Sequence, residues 1–196
     1  MAGKIIATQY MSLDGVIEDP VGMEGSGLGN WTGPFNRGPE GDKFKEDELR
    51  SAEAVILGRR TYDSFASVWP TVKSEMADRM NALPKYLASR TITDLAWNNT
   101  KVIDSDLAAF GETLRSSTAG NILIYGSASV CHELLKAGLI DELALMIYPV
   151  VLGRGLGLFP DGVRSDLELI ENVPLGDGIA LMRYTVVSSQ RRADQS

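Results

Sequence analysis

The chain has very little cysteine or histidine, one of each among 196 residues. A lone cysteine, Cys131, cannot close an intramolecular disulfide and has no CxxC partner. The lone histidine, His132, opens HELLK, which lacks the second histidine of an HExxH zinc helix, so it reads as an ordinary helix residue. The HxE and PCxxC elements of a zinc deaminase are missing throughout. Positive charge is also scarce. With 19 Lys and Arg against 26 Asp and Glu, the net charge is -7 and the pI about 4.8. That balance excludes the basic face that neutralises a phosphate backbone, so no nucleic-acid partner is expected. No apolar run reaches membrane-spanning length and no secretory h-region opens the chain. The expected compartment is the cytoplasm, with no membrane partner. Repeats, low-complexity blocks and convincing linkers are absent, and the length suits one sizeable domain. We therefore expect a single domain over 1–190 and a frayed tail over 191–196.

What is present alternates between strand and helix patterns. Strands are predicted at 4–10, 54–57, 85–89, 100–104, 121–126 and 141–153, followed by a hairpin, LELIENV and GIALMRYTVV, around PLGDG. Helices are predicted at 42–53, 59–68, 74–83, 106–117 and 127–138. The order implies an α/β fold, a three-layer α/β/α sandwich whose mostly parallel sheet carries an antiparallel C-terminal edge. Residues 11–41 form a long irregular segment rich in Gly and Pro, the expected form of a lid or binding loop. The apolar run 141–153 would serve as a homodimer surface if it lay at a sheet edge.

In an open α/β sheet the ligand lies beyond the carboxyl ends of the strands, so the residues that follow each strand matter most. AVILGRRTYDSF puts Arg59 and Arg60 at a helix N-terminus, where the partial positive charge disfavours cations unless an anion is near. Three junctions carry anion-binding chemistry: Gly58, Arg59, Arg60 and Thr61; Ser89 and Arg90; Gly126, Ser127, Ala128 and Ser129. Each offers backbone N–H groups, hydroxyls or guanidinium to a phosphate. Taken singly, each is also an ordinary turn, cap or solvated loop. Together they suggest an extended polyanion, although none matches GxGxxG or a P-loop.

These residues carry a resemblance. LGRRTYDSF, YLASR and IYGSASV resemble the cofactor junctions of the dihydrofolate reductase superfamily, and KIIATQY followed by MSLDGVI is similar to its first strand and active-site loop. SLDG and DELALMIYPVVLGRG most resemble the reductase domain of riboflavin-biosynthesis deaminase-reductases and related stand-alone proteins, over roughly residues 4–187. The resemblance implies NADPH as cofactor. Arg59, Arg60 and Thr61 would hold the pyrophosphate and the 2'-phosphate, with help from Ser89 and Arg90. The turn from Gly126 to Ser129 would carry the pyrophosphate at its helix N-terminus. The family usually has two adjacent glycines in that turn, whereas Ser127 follows Gly126 here.

The acceptor side is read from fewer signals. Dihydrofolate reductases use a helix carboxylate as proton source, and gapless counting back from Gly58 reaches Asp42, with Glu46 one turn on. The acidic run EGDKFKEDE is equally a solvated helix face. Asp14 in SLDG belongs to the active-site loop of the resemblance and is also a turn signal. Trp31, Phe35, Tyr62 and Tyr148 are expected pocket-lining rings, or core. The resulting expectation is an NADPH-dependent reductase of a pteridine-like or pyrimidine-ribosylamine-like small molecule, without a metal. Its rivals are a true dihydrofolate reductase and a non-catalytic nucleotide-binding module.

Overall fold

The computed structural model describes residues 2–92 and 94–187. The tail proposed for 191–196 lies outside the described residues. Among the described residues eight strands make one sheet in the order β4-β3-β2-β5-β1-β6-β8-β7. They are β1 (Lys4–Ser12), β2 (Ala52–Gly58), β3 (Lys85–Ala88), β4 (Thr100–Val102), β5 (Asn121–Ile124), β6 (Glu142–Tyr148), β7 (Asp166–Pro174) and β8 (Ala180–Val187). The pairs from β4 through to β6 are parallel, whereas β6–β8 and β8–β7 are antiparallel. Among the described residues five α-helices join them: α1 (Gly38–Ser51), α2 (Arg59–Val68), α3 (Glu75–Ala82), α4 (Leu107–Ser117) and α5 (Ala128–Lys136).

The central strands are apolar on both faces because both are covered, which explains why VIL and ILI read as unbroken runs. Ile5, Ala7, Ala54, Ile56, Ile122 and Ile124 pack against Leu107 and Leu114 of α4 and Val130 and Leu134 of α5. The alternate residues Ile6, Val55, Leu57 and Leu123 pack against Leu49 of α1, Tyr62 of α2 and Met80 of α3. Three layers follow from that alternation.

Several boundaries move for identifiable reasons. Helix α1 starts at Gly38 rather than 42 because Pro39, which needs no N–H partner, sits in its first turn. Residues 52 and 53 belong to strand, not helix. Strand β6 stops at Tyr148 because Pro149 has no N–H to give the ladder. It is also an inner strand, hydrogen-bonded to β1 and β8, so residues 142–148 are interior to the sheet and not the edge considered for a homodimer, while Val151 beyond the strand is exposed. The exposed apolar residues of that end of the sheet are Leu167, Leu169 and Ile170 on β7.

Candidate active site

Helices α2 and α5 begin at neighbouring points, the carboxyl ends of the adjacent strands β2 and β5. The two ends are locked by a bond from Gly58 N to Gly126 O at 3.0 Å. The approach leaves no room for side chains. A Cβ on Gly58 would stand 2.8 Å from Ser127 Cβ, and one on Gly126 would stand 2.7 Å from Thr61 Oγ1. Gly126 also has φ +136°, and the peptide that joins it to Ser127 is cis. Elsewhere, Ser74 and Asp106 cap α3 and α4 by accepting from Ala77 N and Ala109 N. Gly58 and Ser127 make no such cap, so the first N–H groups of α2 and α5 stay available to an external acceptor.

A cleft of about 250 Å³ opens beside these two N-termini. Arg60, Thr61, Gly126, Ser127 and Ala128 border one end. The loop after β1 covers this end and brings two carboxylates onto it. Glu18 accepts from Arg60 at 2.9 Å and from Leu156 N at 3.0 Å; Glu24 accepts from Thr61 Oγ1 at 3.0 Å. Burial raises the Glu24 carboxyl above its ordinary range, an effect the Thr61 bond only offsets in part. Asp19 organises the loop by accepting from Glu24 N, Ser26 N and Ser26 Oγ. Burial opposes its ionisation, yet those donors hold it below the usual carboxylate value.

The other end of the cleft has aromatic walls and a polar floor. Thr8, Tyr10, Lys45, Phe65, Trp69 and Tyr125 line it, with Arg37 at the rim donating to Tyr10 Oη at 2.6 Å. Lys45 Nζ donates to Thr8 Oγ1 at 3.0 Å and to Glu48 Oε2 at 2.5 Å. It also lies 4.8 Å from the Tyr125 ring centre and 5.6 Å from that of Tyr10, a cation held over aromatic faces. Tyr125 Oη donates to the same Glu48 oxygen at 3.4 Å, and burial followed by the Glu48 charge raises this phenol well above its ordinary value. The other oxygen, Glu48 Oε1, is buried without a partner.

The RibD C-terminal domain family matches residues 3–181. The chain belongs to that family. It is 27% identical over 144 residues to the uncharacterized protein YyaP of Bacillus subtilis (strain 168), covering 70% of this chain and 76% of that one. Its fold is similar to the crystal structure of a putative riboflavin biosynthesis protein from Shewanella sp. PV-4, with a TM-score of 0.75 at 20% identity, covering 96% and 100% of the two chains. It is also similar to dihydrofolate reductase from Enterococcus faecalis complexed with NADP(H) and RAB-propyl, with a TM-score of 0.60 at 18% identity over 94% and 97%. The architecture is thus dihydrofolate-reductase-like, within a family whose structural relatives include reductases.

Against this frame the candidate residues separate. Arg60, Thr61, Gly126, Ser127 and Ala128 border the cleft, and Gly58 supports it from behind Ser127. Ser129 bonds to Ser127 between hydroxyls 2.7 Å apart. Arg59 is paired with Asp63 one turn along α2 and is 43% exposed; Ser89 and Arg90 sit at the end of β3, with Arg90 exposed. These last three lie outside the cleft lining.

The acceptor-side expectations need correction. Asp42 is 59% exposed and bonded to Arg37, and Glu46 is exposed, because the inner arc of α1 runs through Gly41, Lys45, Glu48 and Leu49. Asp14 accepts from Ser12 Oγ, Gly153 N and Leu152 N, which lower its carboxyl to about 2. It therefore staples the 12–16 turn to the loop after β6 and holds no proton at neutral pH. Trp31, Phe35 and Tyr148 stack edge to face behind Tyr10 as core. Tyr62 is core too, its hydroxyl accepting from Trp97 N. The cleft instead uses Thr8, Tyr10, Arg37, Lys45 and Tyr125. The spacing 41, 45, 48, 49, 52 would have shown that Lys45 and Glu48 face inward within the acidic run. Among the described residues no cluster of His, Cys, Asp or Glu is gathered to hold a metal, and no helix is long and apolar enough to cross a membrane.

Proposed function

We propose that this protein is an NADPH-dependent reductase acting on a pyrimidine-ribosylamine-like or pteridine-like small molecule. The observation that carries the reading is the pair of uncapped helix N-termini, joined at Gly58 and Gly126, beside a cleft with an aromatic far end. The residues fit the cofactor. Glu18 and Glu24 place carboxylate oxygens on Arg60 and Thr61, the donors a phosphate would use, and the two glycines allow the close backbone approach a pyrophosphate requires. When bound, NADPH supplies a hydride to the acceptor.

The protein's own residues would then do four things. The N-termini of α2 and α5 bind the pyrophosphate. Arg59 and Arg90, exposed at the ends of β2 and β3, reach the 2'-phosphate; the Arg59–Asp63 surface pair is weak enough to exchange partners, worth about 0–1 kcal/mol. Phe65, Trp69 and Tyr125 wall off water from the acceptor end. Tyr10 and Arg37 orient the acceptor at the rim.

The dihydrofolate reductase alternative is less well supported, since α1 presents Lys45 to the cleft where that enzyme uses a carboxylate. Calorimetric titration with NADPH and NADH tests the cofactor assignment. Arg59→Ala and Arg90→Ala should each weaken NADPH about tenfold to a hundredfold and leave NADH nearly unchanged, the loss of one charge-assisted contact. Equal losses for both cofactors refute the 2'-phosphate assignment. NADPH oxidation with 5-amino-6-(5-phosphoribosylamino)uracil against dihydrofolate then separates the two enzymes. Tight NADPH binding with neither oxidised would favour the non-catalytic module.

A further inference from the structure

The floor of the acceptor end holds a buried ion pair that cofactor binding leaves unexplained. Lys45 and Glu48 are each less than a tenth exposed. Removing both charges from water costs several kcal/mol per ion before their attraction offsets it, so an apolar pair of the same size would stabilise the fold at least as well. Nor is the pair fully satisfied. An ammonium has three N–H groups, and Lys45 commits one to Thr8 Oγ1 and one to Glu48 Oε2. The third has no oxygen, nitrogen or sulfur acceptor among the described residues, at a side chain that borders the cleft.

The surroundings fix that ammonium in one place. Thr8 on β1 and Glu48 on α1 hold Nζ from two sides, and the rings of Tyr10, Phe44 and Tyr125 lie within 6 Å of it. Glu48 is kept in turn by Tyr125 Oη. The carboxylates that border the cleft, Glu18 and Glu24, bond at its opposite end, to Arg60 and Thr61. The charged groups that line the acceptor end are Lys45 at its floor and Arg37 at its rim, each paired with a carboxylate behind it, Glu48 and Asp42.

We propose that Lys45 is the proton donor of the reduction and that Glu48 is its positioning residue, so that the acceptor carries a C=O or C=N bond. This rests on the reductase reading above. NADPH, when bound, would supply the hydride that the acceptor carbon takes up, with NADP+ as the oxidised product. The π electron pair moves onto the acceptor oxygen or nitrogen, and the free N–H of Lys45 supplies the proton that atom requires. The amine left behind recovers a proton from water. A cation suits this role because the charge that develops on the heteroatom is negative.

The test compares steady-state rates at saturating NADPH with 5-amino-6-(5-phosphoribosylamino)uracil as probe acceptor. Lys45→Arg keeps the charge but replaces the ammonium by a guanidinium that does not give up its proton. It should keep KM within about threefold and lose kcat by about a hundredfold or more, the usual scale of general-acid catalysis. Because Lys45→Met alone strands Glu48 as an unpaired buried charge, the second variant is Lys45→Met with Glu48→Met. It should melt cooperatively, bind NADPH within about twofold of wild type and show the same loss of kcat. Glu48→Gln should lower kcat with KM and NADPH affinity unchanged. Retention of kcat within about threefold by either Lys45 variant overturns the assignment. A wild-type protein that binds NADPH and reduces neither this probe nor simple aldehydes overturns the reductase reading itself, and the proton-donor role with it.

Discussion

Glu24→Gln isolates the contact between the covering loop and the start of α2. The substitution preserves shape and removes one negative charge from Thr61 Oγ1, 3.0 Å away. A phosphate bound at the start of α2 has to take that hydroxyl from Glu24. A hydrogen bond to a charged acceptor contributes about 1.5–3 kcal/mol against about 1 for a neutral one, so releasing Thr61 is easier by about 1 kcal/mol in the variant. The displaced carboxylate also repels the arriving phosphate by about 0.5 kcal/mol if it retreats to about 8 Å in water. The sum, about 1–1.5 kcal/mol, predicts NADPH binding roughly five- to twelvefold tighter in Glu24→Gln by calorimetry at neutral pH. The pH dependence has a fixed sign. Burial raises the Glu24 carboxyl, so as the pH falls through that raised value wild type loses the charge and the gap between the two proteins closes. The cofactor's own phosphate titrates equally in both, which is why the ratio is measured. Equal or weaker binding by the variant at every pH would refute the idea that Glu24 competes with phosphate.

Two further outcomes follow from groups away from the cleft. Lys85 is buried, donates to the carbonyls of Met80, Asn81 and Leu83 and lies 4.4 Å from the Trp97 ring centre, and despite these acceptors burial lowers it to about 8. A base that is lowered on folding binds fewer protons folded than unfolded between about 8 and its ordinary 10.5, so its contribution is complete at high pH and lost as the pH falls through 8. Wild type should therefore gain stability relative to Lys85→Met between pH 8 and 10.5 in denaturant titrations; a constant difference would count against it. Cys131 is on the buried face of α5, and burial pushes its thiol up to about 12. A disulfide reagent at pH 8 should leave it unmodified in the native protein and titrate one thiol after unfolding, whereas rapid native labelling would contradict the burial.

The sheet was legible in the sequence because its inner strands are short, apolar on both faces and punctuated by glycine or a helix start, as ILIYG before α5 shows. The junctions that border one end of the cleft were legible for the same reason: strand ends in an α/β sheet have a fixed place, so Gly58 to Thr61 and Gly126 to Ala128 could be brought together without coordinates. The far end was not. It is assembled from single side chains on β1, α1 and the tyrosine after β5, and which face of α1 turns inward depends on how the helix enters β2. Helix α1 runs to Ser51 and passes directly into β2 at Ala52, so the gapless count from Gly58 landed on Asp42 while the inward arc carried Lys45. Asp14 misled in another way, since the same SLDG turn that marks an active-site loop also serves the backbone of residues 152 and 153.

The joint between Gly58 N and Gly126 O has a consequence for how such a protein changes over time. The joint itself is made of backbone, with glycine at both partners, whereas the far end of the cleft is made of side chains at 8, 10, 37, 45 and 125. The two ends can therefore change separately: a substitution at 8, 10 or 37 alters the lining of the far end and leaves the backbone joint as it is, so a duplicate of the gene is free to vary that lining without disturbing the joint.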